Sequence, residues 1–297
     1  MTASLDRSAF FSAVRRSPFG SLSQAQVDGI NAMLDMAPPL MSTVDLAYSF
    51  ATTHHETGGA MVPRIENLNY TSAARIRAVW PSRFASDAAA APFVRSPQAL
   101  ANKVYGGRLG NVQPNDGWDF RGMGLVQATG RDNARRATKR LRALGYLGAD
   151  QDLEQTPTLM LNTDVAAAML FIGLTEGWYT GKKLADYFGA GRDNPISARA
   201  IVNADANGST IAAIHRAFLA ALVAARHEPG AVAETIPIGP VETAPLPPPT
   251  ASAPKVSPKP APSGGLSSAP IPAPAGPVVQ TGGFWVALKS LFSRKES

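Results

Sequence analysis

The chain contains no cysteine and only four histidines in 297 residues. The first absence excludes disulfide staples and any thiolate-bound metal. The second leaves little for a histidine-rich centre. His54-His55-Glu56 begins like a zinc-binding HExxH helix, but that motif needs a second histidine one turn on, where this chain has Gly59. No metal and no cofactor are expected, so the chemistry should run on side chains alone. No run of about 18 apolar residues occurs to span a membrane. The first twenty residues, MTASLDRSAFFSAVRRSPFG, carry charges of both signs before any apolar run of signal-peptide length. Cytoplasmic synthesis without a signal peptide is therefore expected. A nucleotide site is not expected, because neither GxxxxGK[ST] nor a strand followed by GxGxxG is present.

Charge of one sign is also in short supply. The net charge is +6, and positions 1–227 hold 23 basic against 18 acidic residues. The basic residues are scattered, as in Arg131, Arg135, Arg136, Lys139, Arg140 and Arg142, rather than grouped in blocks. This balance suits an anionic polymer surface without choosing between bacterial envelope and nucleic acid.

Aromatic residues are missing between Glu228 and Gly283, a stretch with 15 of the 25 prolines. It cannot bury enough apolar surface to offset the entropy of ordering, so 228–283 is expected to be a disordered linker. Residues 1–227 form the expected folded domain. At 284–297, helical spacing would put Phe284, Trp285, Leu288, Leu291 and Phe292 on one face, with Lys289 and Arg294 off it. That is the signature of a basic amphipathic helix, and contact of Phe284–Lys295 with an anionic membrane is its sharper reading; a docking segment or a disordered end is the plainer one.

Within 1–227 the apolar spacing is helical. Val27, Ile30, Met33 and Leu34 follow a Ser-rich cap and stop before Pro38-Pro39. Thr43 is placed to cap a second helix with a stripe of Leu46, Ala47, Phe50 and Ala51, ended by Gly58-Gly59. Further helices are expected over 132–144, 164–176 and 210–225. The domain should be mainly α-helical.

Two carboxylates, Glu56 and Glu66, flank the Gly-Gly break. Hydrolysing a glycosidic bond needs one protonated carboxyl and one carboxylate that activates water or attacks directly. Glu56 falls at a helix C-terminus, whose dipole disfavours its ionised form and suits a proton donor. Seven glycines between 106 and 130 suggest a loop facing a ligand. Tyr70, Tyr105, Trp118 and Phe120 lie in such polar, glycine-containing segments, where they could stack on sugar rings or anchor loops to the core.

Taken in order, HETGG, ENLNYT, YGGRLGN, DGWDFRGMGLVQATGRDN and ARAIVN resemble the endolysin branch of glycoside hydrolase family 19, the chitinase-like phage lysozymes; the match covers roughly residues 20–225. The resemblance implies a lysozyme-like fold, two helical lobes around a central cleft. It implies Glu56 as general acid, Glu66 as second catalytic carboxylate and Thr129 as the residue that positions water or sugar. Gln127 and Asn203 correspond to sugar-contacting positions, and Tyr70, Tyr105, Asn111 and Trp118 complete the expected substrate-binding set. Two departures stand out: Met123 occupies the place of the second arginine of an RGRG stretch, and the late asparagine-glycine-glycine reads Asn203-Ala204-Asp205-Ala206-Asn207-Gly208. Inversion at the anomeric carbon is implied, with carboxyls roughly 6.5–9.5 Å apart. The expected partner is peptidoglycan or a related acetamido-sugar polymer, with no nucleic acid, and a monomer is the default. The expected activity is that of a bacteriolytic muramidase, waiting in the cytoplasm for holin-type release. A chitinase and a wall-binding module without activity are the alternatives.

Overall fold

The structure, a computed structural model, describes residues 5–189 and 191–229. The expected linker, save its first two residues, and the C-terminal amphipathic segment lie outside the described residues.

Local capping explains where most helices begin. Asp6 accepts a hydrogen bond from the Ala9 N–H and starts α1 (Arg7–Val14), which buries Phe10, Phe11 and Val14. Ser23 and Gln26 form a reciprocal capping box that opens α2 (Gln24–Met36), and the chain leaves the helix just ahead of Pro38-Pro39. The cap of α3 (Thr43–Glu56) is Ser42, not Thr43: the Ser42 hydroxyl accepts from the Asp45 N–H, while the Thr43 hydroxyl pairs with the His227 ring. The predicted stripe on α3 is too narrow. Leu46–Thr53 are all buried, since α3 packs along α10 (Gly208–Ala224) and against α9 (Thr163–Glu176), itself buried from Val165 to Leu174. A helix surrounded by partners has no polar face to keep.

Sequence periodicity assigned no element to residues 73–105, which form α4 (Ala73–Val79), α5 (Asp87–Ala90) and α6 (Pro97–Tyr105). The caps were present: Ser72 and Ser86 accept from the N–H groups of Arg75 and Ala89. A short α7 (Asp116–Asp119) packs on α6, and α8 (Arg131–Ala143) follows. Two small antiparallel pairs complete the described residues: β1 (Arg64–Ile65) with β2 (Met123–Gly124), and β3 (Phe188–Gly189) with β4 (Arg192–Asp193). The domain is mainly helical, consistent with a lysozyme-like domain. No helix among the described residues is long and apolar enough to cross a membrane.

The apolar interior falls into three clusters. One joins α1, α2, α3, α9 and α10; a second lies between α8 and α9 with Phe120 and Met123; a third holds Leu68, Trp80, Phe84 and the inner face of α6. The β1–β2 pair sits where they meet, since Met123 belongs to the second, Leu125 to the first, and Leu68 just past β1 to the third.

Two expectations change here. The glycine-rich stretch largely faces its own protein: a Cβ at Gly117 would lie 2.6 Å from the Ala101 carbonyl oxygen, and one at Gly130 would lie 2.5 Å from Leu109 Cβ. The arginines of α8 are not an open cationic surface, because Arg131, Arg135, Arg140 and Arg142 pair with Asp116, Asp132, Asp152, Glu154 and Glu176.

Candidate active site

Glu56 is the last residue of α3, and the turn after it is pinned. The Thr57 hydroxyl donates to the Thr53 carbonyl at 2.7 Å and accepts from the Met61 N–H at 3.0 Å. Gly58 and Gly59 both take positive φ, 62° and 81°, which a residue with a Cβ adopts only at a cost. Arg64 donates to the Thr57 carbonyl, and Gln26 of α2 to the Gly59 carbonyl.

The Glu56 backbone is partly accessible, yet its carboxylate is only 2% exposed and forms an ion pair with Arg199, 3% exposed, from the 3-10 turn Ser197–Ile201. Arg199 also grips Asp205 with two bonds, Nε to Oδ1 at 3.0 Å and Nη2 to Oδ2 at 2.8 Å. Burial pushes the Glu56 carboxyl above the usual carboxylate range, and although the Arg199 charge and hydrogen bond oppose this, the net direction is upward. Burial acts on Asp205 in the same sense, but there Arg199 and the Asn207 N–H outweigh it and hold the group below its ordinary value.

Glu66 follows β1 and is tied to the chain after α7: its N–H donates to the Gly122 carbonyl at 2.8 Å. Its carboxyl receives the Tyr105 hydroxyl on Oε1 at 3.0 Å and the Gly122 N–H on Oε2 at 3.3 Å. Burial pushes this carboxyl up to about 8, against the pull of those two donors and the nearby Arg121 charge. The domain thus holds two carboxyls of raised proton affinity, one paired with a cation and one accepting from two neutral donors.

Tyr105 is buried and supplies a hydroxyl to Glu66, not an open ring face for a sugar. Asn111 is fully buried; its amide donates to the Tyr105 carbonyl and accepts from the Arg131 N–H, so it shapes the loop instead of lining a binding surface. Asn203 is fully buried behind Asp205, to which it donates at 3.2 Å. Phe120 is buried beneath the Arg131 guanidinium. Tyr70 and Trp118 stay partly exposed, Tyr70 edge-on to Trp80 and Trp118 beneath the Arg121 guanidinium. Gln127, at φ 56°, donates its amide to the Arg64 and Gly124 carbonyls and so laces β1 to β2. The Thr129 hydroxyl donates to the Gln127 carbonyl at 3.1 Å. Met123 is 1% exposed in an apolar cluster, where an arginine would be an unpaired buried charge.

Sequence reading singled out neither Arg199, Asp205 nor Arg121. Arg199 lies within ARAIVN, and a glutamate buried at a helix end requires a cation or a proton. His54 packs tilted against Phe19 and edge-on to Phe218.

No family model matches the chain. The chain is similar to a glycosyl hydrolase family 19 domain-containing protein of Haemophilus influenzae, with 32% identity over 152 residues, spanning 50% of this chain and 67% of that relative.

Proposed function

The chain belongs to glycosyl hydrolase family 19, and from that premise we propose that it is an endolysin-type hydrolase cutting β-1,4 links of bacterial peptidoglycan, with Glu56 as general acid and Glu66 as general base. The observation that carries this reading is the pair of buried carboxyls, both of raised proton affinity and each held by its own partners. Acid/base glycoside hydrolysis needs one carboxyl protonated and one ionised, and buried carboxyls of perturbed titration are candidates for those roles.

In this reading Glu56 gives its proton to the leaving oxygen, while Arg199, kept in place by Asp205, stabilises the carboxylate left behind. Glu66 takes a proton from the attacking water. The Thr129 hydroxyl, whose hydrogen points to the Gln127 carbonyl, keeps its oxygen lone pairs for that water. Inversion at the anomeric carbon follows from a water held between base and sugar. Tyr70 and Trp118, with partly exposed rings, serve sugar contacts, and Gln127 holds the strand pair beneath them.

The opposite division of labour is favoured by one observation: Glu66, at about 8, carries a proton at neutral pH, whereas Glu56 sits against a cation. Chemical rescue separates the two. A variant lacking the acid recovers on a substrate whose leaving group needs no protonation, and a variant lacking the base recovers with added azide and yields a glycosyl azide. Leaving-group rescue of Glu56→Gln with azide rescue of Glu66→Ala supports the first division; the reverse pattern supports the second.

A chitinase acting on N-acetylglucosamine polymers shares this chemistry. Mass spectrometry of fragments from purified sacculi decides. Reducing N-acetylmuramic acid from wild type, with a loss of roughly 10²- to 10⁴-fold in Glu56→Gln, is the expected result. Fragments from chitin alone would overturn the peptidoglycan reading.

A further inference from the structure

Among the described residues Arg121 makes no close ion pair, although the charges of Glu66 and Asp119 act on it and burial penalises its own. Its guanidinium carbon lies 3.5 Å from the centroid of the Trp118 ring. Nη1 donates to the Trp118 carbonyl at 2.6 Å, and Nε is buried with no acceptor. Other shielded guanidiniums are treated differently: partly buried Arg131 has Asp116 and Glu154, and buried Arg199 has Glu56 and Asp205. A buried donor left unmatched costs on the order of 1–3 kcal/mol, and since Nε is closed to solvent and Nη1 is taken by the Trp118 carbonyl, the nitrogen open to a ligand is Nη2. Its location suggests a use. The next residue, Gly122, donates to Glu66, and the charges of Glu66 and Asp119 act on Arg121. The guanidinium is fixed in plane by Trp118, which leaves its in-plane donors aimed rather than free to swing.

We propose that Arg121, braced by Trp118, is an anion-reading subsite beside Glu66 that takes a carboxylate of the polymer and thereby favours peptidoglycan over neutral acetamido-sugar chains. This rests on the peptidoglycan reading above. Two physical points support an anion over a sugar hydroxyl. A negative group adds to the offset that Glu66 and Asp119 give the guanidinium charge and also matches its N–H donors, which a neutral hydroxyl does less well. An anionic substituent arriving near Glu66 would also push that carboxyl toward its protonated form, and a cation already in place cancels the effect. The carboxylate has two sources in the wall polymer, the lactyl ether of muramic acid and the stem peptide.

The test compares wild type with Arg121→Gln on three substrates: intact sacculi, peptide-free glycan strands, and peptide-free strands with the lactyl carboxyl reduced to the alcohol. We expect the variant to lose about ten-fold in kcat/KM, the worth of one charge-assisted hydrogen bond, on substrates that carry the recognised carboxylate. The loss should shrink once that carboxylate is removed. Shrinkage on reduction of the lactyl group assigns that group; a loss confined to intact sacculi assigns the stem peptide. An equal loss on all three substrates overturns the proposal and makes Arg121 a partner of Glu66 only; no loss on any overturns it too. Should Arg121→Gln not fold by thermal melting, wild type alone decides, because equal efficiency on all three substrates overturns the proposal and a drop once either carboxylate is removed supports it. Failure of the underlying reading looks different: wild type would release nothing from any muramic acid strand while cleaving N-acetylglucosamine oligomers.

Discussion

Glu66 carries a large electrostatic consequence for a single side chain. Its carboxyl titrates near 8 in the folded domain against about 4.5 when solvated. Between those values the folded state holds a proton that the unfolded chain has released. Stability from this group is therefore fully present below about pH 4.5 and declines as pH rises through 8. Glu66→Gln should flatten that decline by a few kcal/mol in denaturant titrations run from pH 5 to 8. Tyr105 opposes the upward shift through its hydrogen bond, so Tyr105→Phe should move the Glu66-dependent limb of the pH–rate profile to still higher pH. Arg199 is the second residue of consequence. Removing it strands Glu56 and Asp205 inside the fold, and Arg199→Met should cost about 3–5 kcal/mol in chemical denaturation. The carboxyls themselves were legible in the sequence because their chemistry needs two of them near a break. Their partners were not, since pairing over 143 residues from Glu56 to Arg199 leaves no periodic trace.

At the scale of elements, the turn between the glutamates depends on a helix that contributes no reacting group. Gly29 of α2 lies against the Met61 carbonyl, and a Cβ there would stand 2.0 Å from its oxygen. Gly29→Ala must push α2 away from the 57–66 segment, and overpacking of this kind costs about 1–3 kcal/mol. Thermal melting should register that loss, and kcat should fall beyond it as Glu56 and Glu66 shift relative to each other. Gly29 sits mid-helix, where sequence reading assigns glycine only a penalty, so its role emerges from packing alone. Helices α2, α3, α8, α9 and α10 were legible because long apolar spacing survives in them. The short α4, α5 and α6 were not, because a helix of four to nine residues offers too few turns for spacing to accumulate. The serine caps of α4 and α5 were the better signal.

For the whole molecule, the helical character was readable from the sequence, whereas the division of the interior was not. Residues from three apolar clusters meet around β1–β2, and no local pattern specifies which helix joins which cluster. The scattered arginines look like a surface in sequence and become an ion-pair lattice on α8 once folded. For contact with an anionic membrane the sequence offers the C-terminal stretch from Phe284 to Lys295 as the candidate. Deleting 284–297 should reduce killing of intact cells and spare hydrolysis of purified wall; equal losses in both assays would remove the membrane role.

The Glu66 carboxyl draws its donors from separate parts of this interior: Tyr105 belongs to the third cluster, while Gly122 is joined to the second through its neighbour Met123. Its ionised form therefore depends on both clusters holding together, since each donor favours the charge. Loosening either cluster withdraws one donor and raises the proton affinity of Glu66 further, so local opening of either should register as a change in how this carboxyl titrates.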